Sequence, residues 1–428
     1  MYFREIRLNW QTLLSGAFGM ALGSALSHYT LSLFGPAMIK DLGWTKAQFA
    51  LIGFVPIATM LLIPVAGRFT DRFGTRVAAI VGFLGVPLGF VAMSAMSGNL
   101  LEYFAIYLAQ HVFGILTTSL VFCRVVVERF DAARGIALSL IMSAPPLAGA
   151  IAAPLLGEVI AEDGWRAGYL TMAAITASGG VIAILLMGAN RRRAAPREAA
   201  GNKEAPKDAT VKLSRAEFLG LIRNPMLLLI VLGMLLVNIP QSFASSQLKL
   251  VALANGVSDT NATAMVSLYA IGVVIGRFLT GVALDAKVRP HLVAIVALGL
   301  PAVGYLLFAS SITAVAVLMG GVLLIGLAQG AESDVGAYLI SRKFDMKNFS
   351  LLLSFVTMSI ALGSALGSLV LSFTLHYTDS YVPYLLLSAA GTLIGAAAFG
   401  LTGMRWVGDG QRQPEEPVIE QALAGEIS

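Results

Sequence analysis

The sequence predicts an all-α membrane protein of twelve transmembrane helices, arranged as two parallel six-helix pseudo-repeats. Three observations carry this reading. Hydrophobic residues make up 57% of the 428 and charged residues only 12%, against about 25% charged in a soluble domain. Twelve apolar runs are long enough to cross a bilayer, which takes roughly 20 residues. Two loop signatures recur at one fixed offset.

The runs fall near 11–35, 46–66, 77–96, 102–124, 134–158, 166–188, 226–250, 262–284, 290–310, 314–340, 349–374 and 381–403; in order, they are spans 1 to 12. Short polar connectors separate them, among them Arg68–Arg76, Arg129–Arg134 and Glu162–Trp165. The runs are continuously apolar, which favours helices over the alternating strands of a membrane barrel. The first run follows Arg4 and Arg7 but is long and lacks a clean cleavage site, so it reads as a retained helix. With a cytoplasmic N-terminus, only Lys40, Lys46, Arg166 and Lys249 fall outside, while nearly all other basic residues, including Arg191, Arg192, Arg193, Arg342 and Lys343, fall inside. That asymmetry predicts a multi-pass inner (plasma) membrane protein with both termini in the cytoplasm.

Four regions follow. Residues 1–188 form an N-terminal six-helix bundle and 189–224 a polar, basic cytoplasmic linker. Residues 225–404 form a second bundle, and 405–428 a polar, acidic tail expected to be disordered. The net charge of +5 sits in loops that set topology and does not call for a nucleic acid. One cysteine, Cys123, excludes an intrachain disulfide and a cysteine-rich metal site. No Gly-rich phosphate loop, metal-ligand cluster or nucleophile–base pair stands out, so neither an enzyme nor a cofactor is expected, and nothing supplies ATP drive.

The repeat is concrete. Gly67 and Asp71 frame GRFTD after span 2, and Gly281 and Asp285 frame GVALD after span 8, 214 residues on. Glu128-Arg129-Phe130-Asp131 after span 4 and Arg342-Lys343-Phe344-Asp345 after span 10 share that offset. With an even number of spans per half, the repeats run parallel about an axis along the membrane normal.

The stretch Gly67-Arg68-Phe69-Thr70-Asp71-Arg72-Phe73-Gly74-Thr75-Arg76 resembles the loop motif G-x-x-x-D-R-x-G-x-R of the major facilitator superfamily. The resemblance covers essentially residues 8–404. Finer detail resembles the monocarboxylate-porter branch, which includes oxalate/formate-type exchangers. It rests on Arg134-Gly135-Ile136-Ala137 through Pro154 to Gly164-Trp165-Arg166, on Gly276-Arg277-Phe278 with Gly281, and on Gly330-Ala331-Glu332-Ser333-Asp334 with Arg342-Lys343-Phe344 and Phe349. The resemblance implies a monomer that moves a small solute by alternating access. It also implies that Gly67, Asp71, Arg72 and Arg76 belong to a gate, Asp71 and Arg72 latching the cytoplasmic side, with Asp285 a weaker symmetric copy.

Ionisable groups inside a span are costly and mark function by default. Arg277 lies about seven residues from the inner end of span 8, where it could also snorkel to the interface. The branch resemblance implies a substrate-binding arginine there, and the planar guanidinium fork suits a carboxylate. The sequence departs from animal members of the branch at Val273, where they carry an acid one turn before the arginine. Glu332 and Asp334 sit near mid-membrane in span 10 and are the proton-coupling candidates. Two residues apart on a helix, they point about 200° apart. Glu332 is favoured as the acid facing the cavity, and an interhelical bond is the alternative role for both. His28, Tyr29, Asn238, Gln241 and Tyr269 complete the polar substrate candidates, each with interhelical packing as its alternative. Pro240, between Asn238 and Gln241, is expected to interrupt span 7. Gln110 and His111 are weaker candidates in span 4, and Arg124 is expected to pair with an acid or snorkel. Gly363 and Gly367 form a small-x-x-x-small face in span 11.

The expected function is secondary transport of a small carboxylate anion, with proton symport or anion exchange. Two rivals stand: a proton-driven exporter of drugs or metabolites, weakly suggested by Ala153-Pro154-Leu155-Leu156-Gly157, and a non-transporting membrane receptor or scaffold.

Overall fold

The structure, a computed structural model, describes residues 2–189, 220–221, 223–286, 290–310, 312–344 and 349–403. Most of the expected linker, the expected tail and the side chain of Asp285 lie outside the described residues.

Regular structure among the described residues is helical throughout. Nine helices are long and apolar enough to cross a membrane, and a tenth is the pair Lys46–Met60 and Ile63–Phe73, bent by 52°. One of the nine holds two passes. Arg134–Ala189 has 56 residues, and at Gly164 its backbone leaves the helix with φ 85° and ψ 172°. A straight helix of that length would reach roughly 84 Å, far beyond a bilayer. A Cβ on Gly168 would lie 2.7 Å from the Ile160 side chain, so the chain has doubled back. Glycine tolerates that positive φ without strain, and spans 5 and 6 meet at the expected connector. Span 1 is likewise a pair, Trp10–Ala21 and Ala25–Leu42. The twelve expected passes are thereby complete.

Helix ends are set locally. Span 2 opens on a capping box: the Thr45 hydroxyl accepts the Gln48 N–H at 3.1 Å, and Gln48 Oε1 accepts the Thr45 N–H at 2.8 Å. Pro56 and Pro64 fall at the starts of the two later helices of that span, where a missing N–H is tolerated. The prolines account for the bend.

The helix Tyr2–Leu8 packs where span 4 turns into span 5. The Glu5 carboxylate accepts the N–H groups of Asp131 and Ala133, each at 2.7 Å. Those two bonds hold its pKa below the usual carboxylate range. Below, the face that carries this helix and the inner ends of the even-numbered spans is the terminal face.

Burial is arranged unequally across the thickness of the molecule. Toward the terminal face each half keeps its own core. Phe83, Phe122 and Phe130 pack within the first, and Met234, Leu339 and Phe399 within the second. Toward the opposite face one continuous core joins both halves, with Phe34, Phe49 and Tyr103 contiguous with Phe243, Tyr305 and Tyr384. There Gly35 meets Leu250, and Gly53 meets Ser368 and Ser242. Lys46 Nζ is 3.1 Å from the Asp379 carboxylate. The halves are closed against each other on one face and separate toward the other.

Candidate functional site

Two spans at the seam between the halves are interrupted. Span 7 runs as Pro225–Asn238, breaks at Pro240 as the sequence predicts, and resumes through a π-turn, Phe243–Gln247, into Leu248–Ala254. The proline removes an N–H, so carbonyls near it need other partners. The Tyr384 hydroxyl donates to the Ile239 carbonyl at 3.0 Å. The hydroxyls of Ser242 and Ser368 pair at 2.6 Å. Gly363 and Gly367 let span 11 lie directly on this break, facing the Leu235 and Ile239 carbonyls. Span 1 breaks at 22–24 without a proline, close to the corresponding place in the repeat. Its partner is a break in span 4, where Ile115–Thr117 is a 3-10 turn and Thr118 is extended. The Ser24 N–H donates to Thr117 Oγ1 at 2.9 Å, and Ser24 Oγ donates to the Gly114 carbonyl at 3.1 Å. Interrupted helices in matching positions of two repeats are where transporters place their solute site.

Spans 8 and 10 are each one continuous helix, Asp259–Asp285 and Val315–Lys343. Gly272 and Gly276 face Gly326 and Gly330 at backbone contact. A Cβ on Gly272 would lie 3.0 Å from the Leu323 carbonyl, and one on Gly276 would strike that of Leu327. A Cβ on Gly330 would strike the Val273 carbonyl and come within 2.7 Å of the Arg277 nitrogen. This double small-x-x-x-small contact fixes the helix that carries Arg277 against the one that carries Glu332 and Asp334.

The two acids then part ways. Asp334, its side chain 41% exposed, stands beside Arg277 with Oδ2 3.8 Å from Nε. Glu332, only 6% exposed, turns into the second half. There it accepts a 2.8 Å hydrogen bond from Gln329 Nε2 and lies beside Asn238. With Gln241 and Tyr305 it lines a cavity of about 20 Å³ between spans 7, 9 and 10, room for about one water. The acid in ion-pair contact with the arginine is therefore Asp334, while Glu332 is buried yet stays within electrostatic range of Arg277, Tyr29 and Tyr269.

Arg277 reaches across the seam. Its Nη1 donates to the Met142 carbonyl of span 5, in the first half, at 2.9 Å. Its Nε has no hydrogen-bond partner among the described residues, since 3.8 Å to Asp334 is an ion-pair distance and too long for a hydrogen bond. Tyr29 lies within electrostatic range of both Arg277 and Glu332. Its ring is 6.2 Å from that of Tyr269 across the seam, and His28 packs edge-on at 5.0 Å. Tyr269 is buried, with its hydroxyl unpartnered among the described residues. Asn238 donates within its own helix to the Met234 carbonyl at 2.9 Å. His111 bonds locally to the Tyr107 carbonyl at 3.0 Å, and Gln110 donates to the Val86 carbonyl at 3.2 Å. Of the polar residues singled out by sequence, Tyr29, Tyr269, Arg277 and Asp334 meet at the seam. Glu332, Asn238 and Gln241 gather inside the second half.

At the terminal face Asp71 pairs with Arg124, which also holds Glu128 at 3.2 Å. Both partners belong to the first half. Arg72 lies over the Phe73 ring at 5.3 Å, and Arg76 lines a pocket with Arg124. Gly67 faces open space. On the opposite face Lys249, expected on the outer side, is only 3% exposed and lies 2.9 Å from Asp259. The four-glycine contact between spans 8 and 10 and the break in span 1 went unread in the sequence. The first had a signal, two glycine pairs at i and i+4.

A family model described as Major Facilitator Superfamily matches residues 17–250 and 230–422. Over 176 residues, 40% of this chain, the sequence is 28% identical to the "Multidrug resistance protein B homolog" of Mycobacterium tuberculosis. That match spans 32% of the relative's length. Among solved structures, the nucleoside transporter NupG superposes with a TM-score of 0.69 at 15% identity, over 93% of this chain and 98% of that one. A D-xylose-proton symporter gives 0.69 at 15%, over 93% and 97%. At such identities the likeness is one of fold.

Proposed function

The chain belongs to the Major Facilitator Superfamily, and from that premise we propose that it carries a small organic anion, a monocarboxylate, by proton symport or anion exchange. The observation that carries the proposal is Arg277: a charged group at the seam, bonded to the opposite half through one N–H, with its Nε buried beside Asp334 and without a hydrogen-bond partner among the described residues. A guanidinium with spare donors in a low-dielectric setting is a bidentate carboxylate receptor. Asp334 is the resident counter-ion. Protonating it releases Arg277 to the cargo, which ties proton entry to anion binding. Tyr29, Tyr269 and His28 line the approach, and Glu332, with Asn238 and Gln241, orders the second half or stores a proton.

Alternating access follows from the unequal core. In the described state one core joins the halves on the face of Lys46 and Asp379, and each half keeps its own core toward the terminal face, which we read from the basic-residue bias as cytoplasmic. Gly67, Asp71, Arg72 and Arg76, with Asp285, form the gate of that face. In this state Asp71 rests on Arg124 of its own half. The working unit is a monomer in the inner membrane.

The test is uptake of labelled small carboxylates into proteoliposomes, with and without an inward proton gradient. Gradient-stimulated uptake of one acid, reduced at least tenfold in Arg277→Lys, is expected. Equal uptake by that variant overturns the assignment. A second reading, export of drugs or metabolites, is favoured by the 28% identical relative. It predicts no carboxylate uptake and drug sensitivity in a deletion strain.

A further inference from the structure

A second polar cavity lies far from the seam, in the first half at the terminal face. It has a volume of about 370 Å³ and is lined by Arg76, Arg124 and Arg129, with Glu128, Thr75 and Phe73 among its walls. Four span ends converge on it: the start of span 3 at Thr75, the end of span 4 at Val127, and residues near the ends of spans 1 and 6, Thr12 and Met187. It therefore sits at headgroup depth. Arg124 is neutralised by Asp71 and Glu128. Arg76 and Arg129 have no ion-pair partner among the described residues. The 21-residue helix of span 3 also begins here. Its N-cap is Gly74, which has no side chain to satisfy the first N–H groups. Two arginines without an ion-pair partner among the described residues and a helix N-terminus line one cavity, a combination suited to a phosphate.

We infer that this cavity binds the phosphate of an anionic phospholipid. The apolar surroundings single out a lipid over a soluble phosphate. Val77, Ile80, Leu84 and Leu88 are exposed along one face of span 3 and run from the cavity toward the bilayer interior. That stripe is a bed for an acyl chain whose headgroup is held above it. Basic pockets between spans at this level are suited to anionic headgroups. Because Arg124 lines the cavity and also holds Asp71, the bound phosphate competes with the gate loop for one guanidinium.

The test is native mass spectrometry of the full-length protein in detergent, titrated separately with phosphatidylglycerol, phosphatidylcholine and inorganic phosphate. Phosphatidylglycerol is expected to remain bound at about tenfold lower concentration than phosphatidylcholine. The double variant Arg76→Ala/Arg129→Ala is expected to lose that preference. Equal retention of the two lipids by the wild type overturns the inference, as does an unchanged preference in the variant. Protection from thermal unfolding by inorganic phosphate, matching that from the lipid, overturns the lipid assignment in favour of a soluble anion. Should the double variant fail to fold, Arg76→Gln alone is measured, and undiminished preference there counts against the site.

Discussion

Span 4 of the first half is interrupted from Ile115 to Thr118, whereas span 10, its counterpart 214 residues on, runs unbroken from Val315 to Lys343. The same contrast holds for span 2, bent by 52°, against span 8, a continuous helix of 27 residues. The continuous pair carries the charges, Arg277, Glu332 and Asp334, while the broken pair carries none at mid-depth. The two conditions have different physical needs. A broken helix exposes backbone polar groups; here Thr117 Oγ1 accepts the Ser24 N–H, and Ser24 Oγ donates to the Gly114 carbonyl. A buried charge needs a partner at fixed distance, and fixed distance needs helices that cannot slide. In these two pairs of spans the duplicated unit has diverged, one pair supple and the other stiff.

The largest expected effect comes from wedging the stiff pair apart. In Gly330→Leu the new side chain meets the Val273 carbonyl, with no room to give. We expect a loss of about 3 kcal/mol or more, read as a lower Tm in detergent. Gly67→Ala, where nothing lies within 4 Å, should shift stability by about 0.5 kcal/mol at most. Equal Tm values for both variants would remove the stiffness from the comparison.

The next effect separates the acids. Asp334→Asn is expected to cut proton-driven accumulation at least tenfold while exchange persists, and Glu332→Gln to have the smaller effect on coupling. The reverse order, measured in proteoliposomes, would place the coupling proton inside the second half.

The smallest concerns the closed face. Lys46 and Asp379 pair at 3.1 Å with side chains 38% and 84% exposed. Exposed pairs contribute about 0–1 kcal/mol and are screened by salt. Lys46→Ala should therefore loosen that face only slightly, as a modest shift in spin-label distances across it, and 1 M salt should do the same to the wild type. A complete opening of that face by the single substitution would make this pair, rather than the shared core, the closing element.

Much of this could be read in advance. Apolar run length placed the passes, because the bilayer leaves a chain few options, and Pro240 announced its own break. Gly164 fell in the expected connector between spans 5 and 6. The break in span 1 stayed hidden because Gly23 and Ser24 are tolerated inside helices and are decided by Thr117, 93 residues away. The pairing of Arg277 with Asp334 rather than Glu332 depends on the rotation of one helix against another, which glycine contacts set and no single helix reveals. Arg124 was expected to pair with an acid or to snorkel, and only the fold says that it pairs, with Asp71 and Glu128.

The 3.8 Å pair of Arg277 and Asp334 also bears on how strongly cargo can bind. Asp334 is a carboxylate tethered to its receptor, a competitor that never diffuses away and acts at high effective concentration. Under the function proposed above, a free anion must displace this carboxylate, and occupancy of the site then demands a high concentration of cargo.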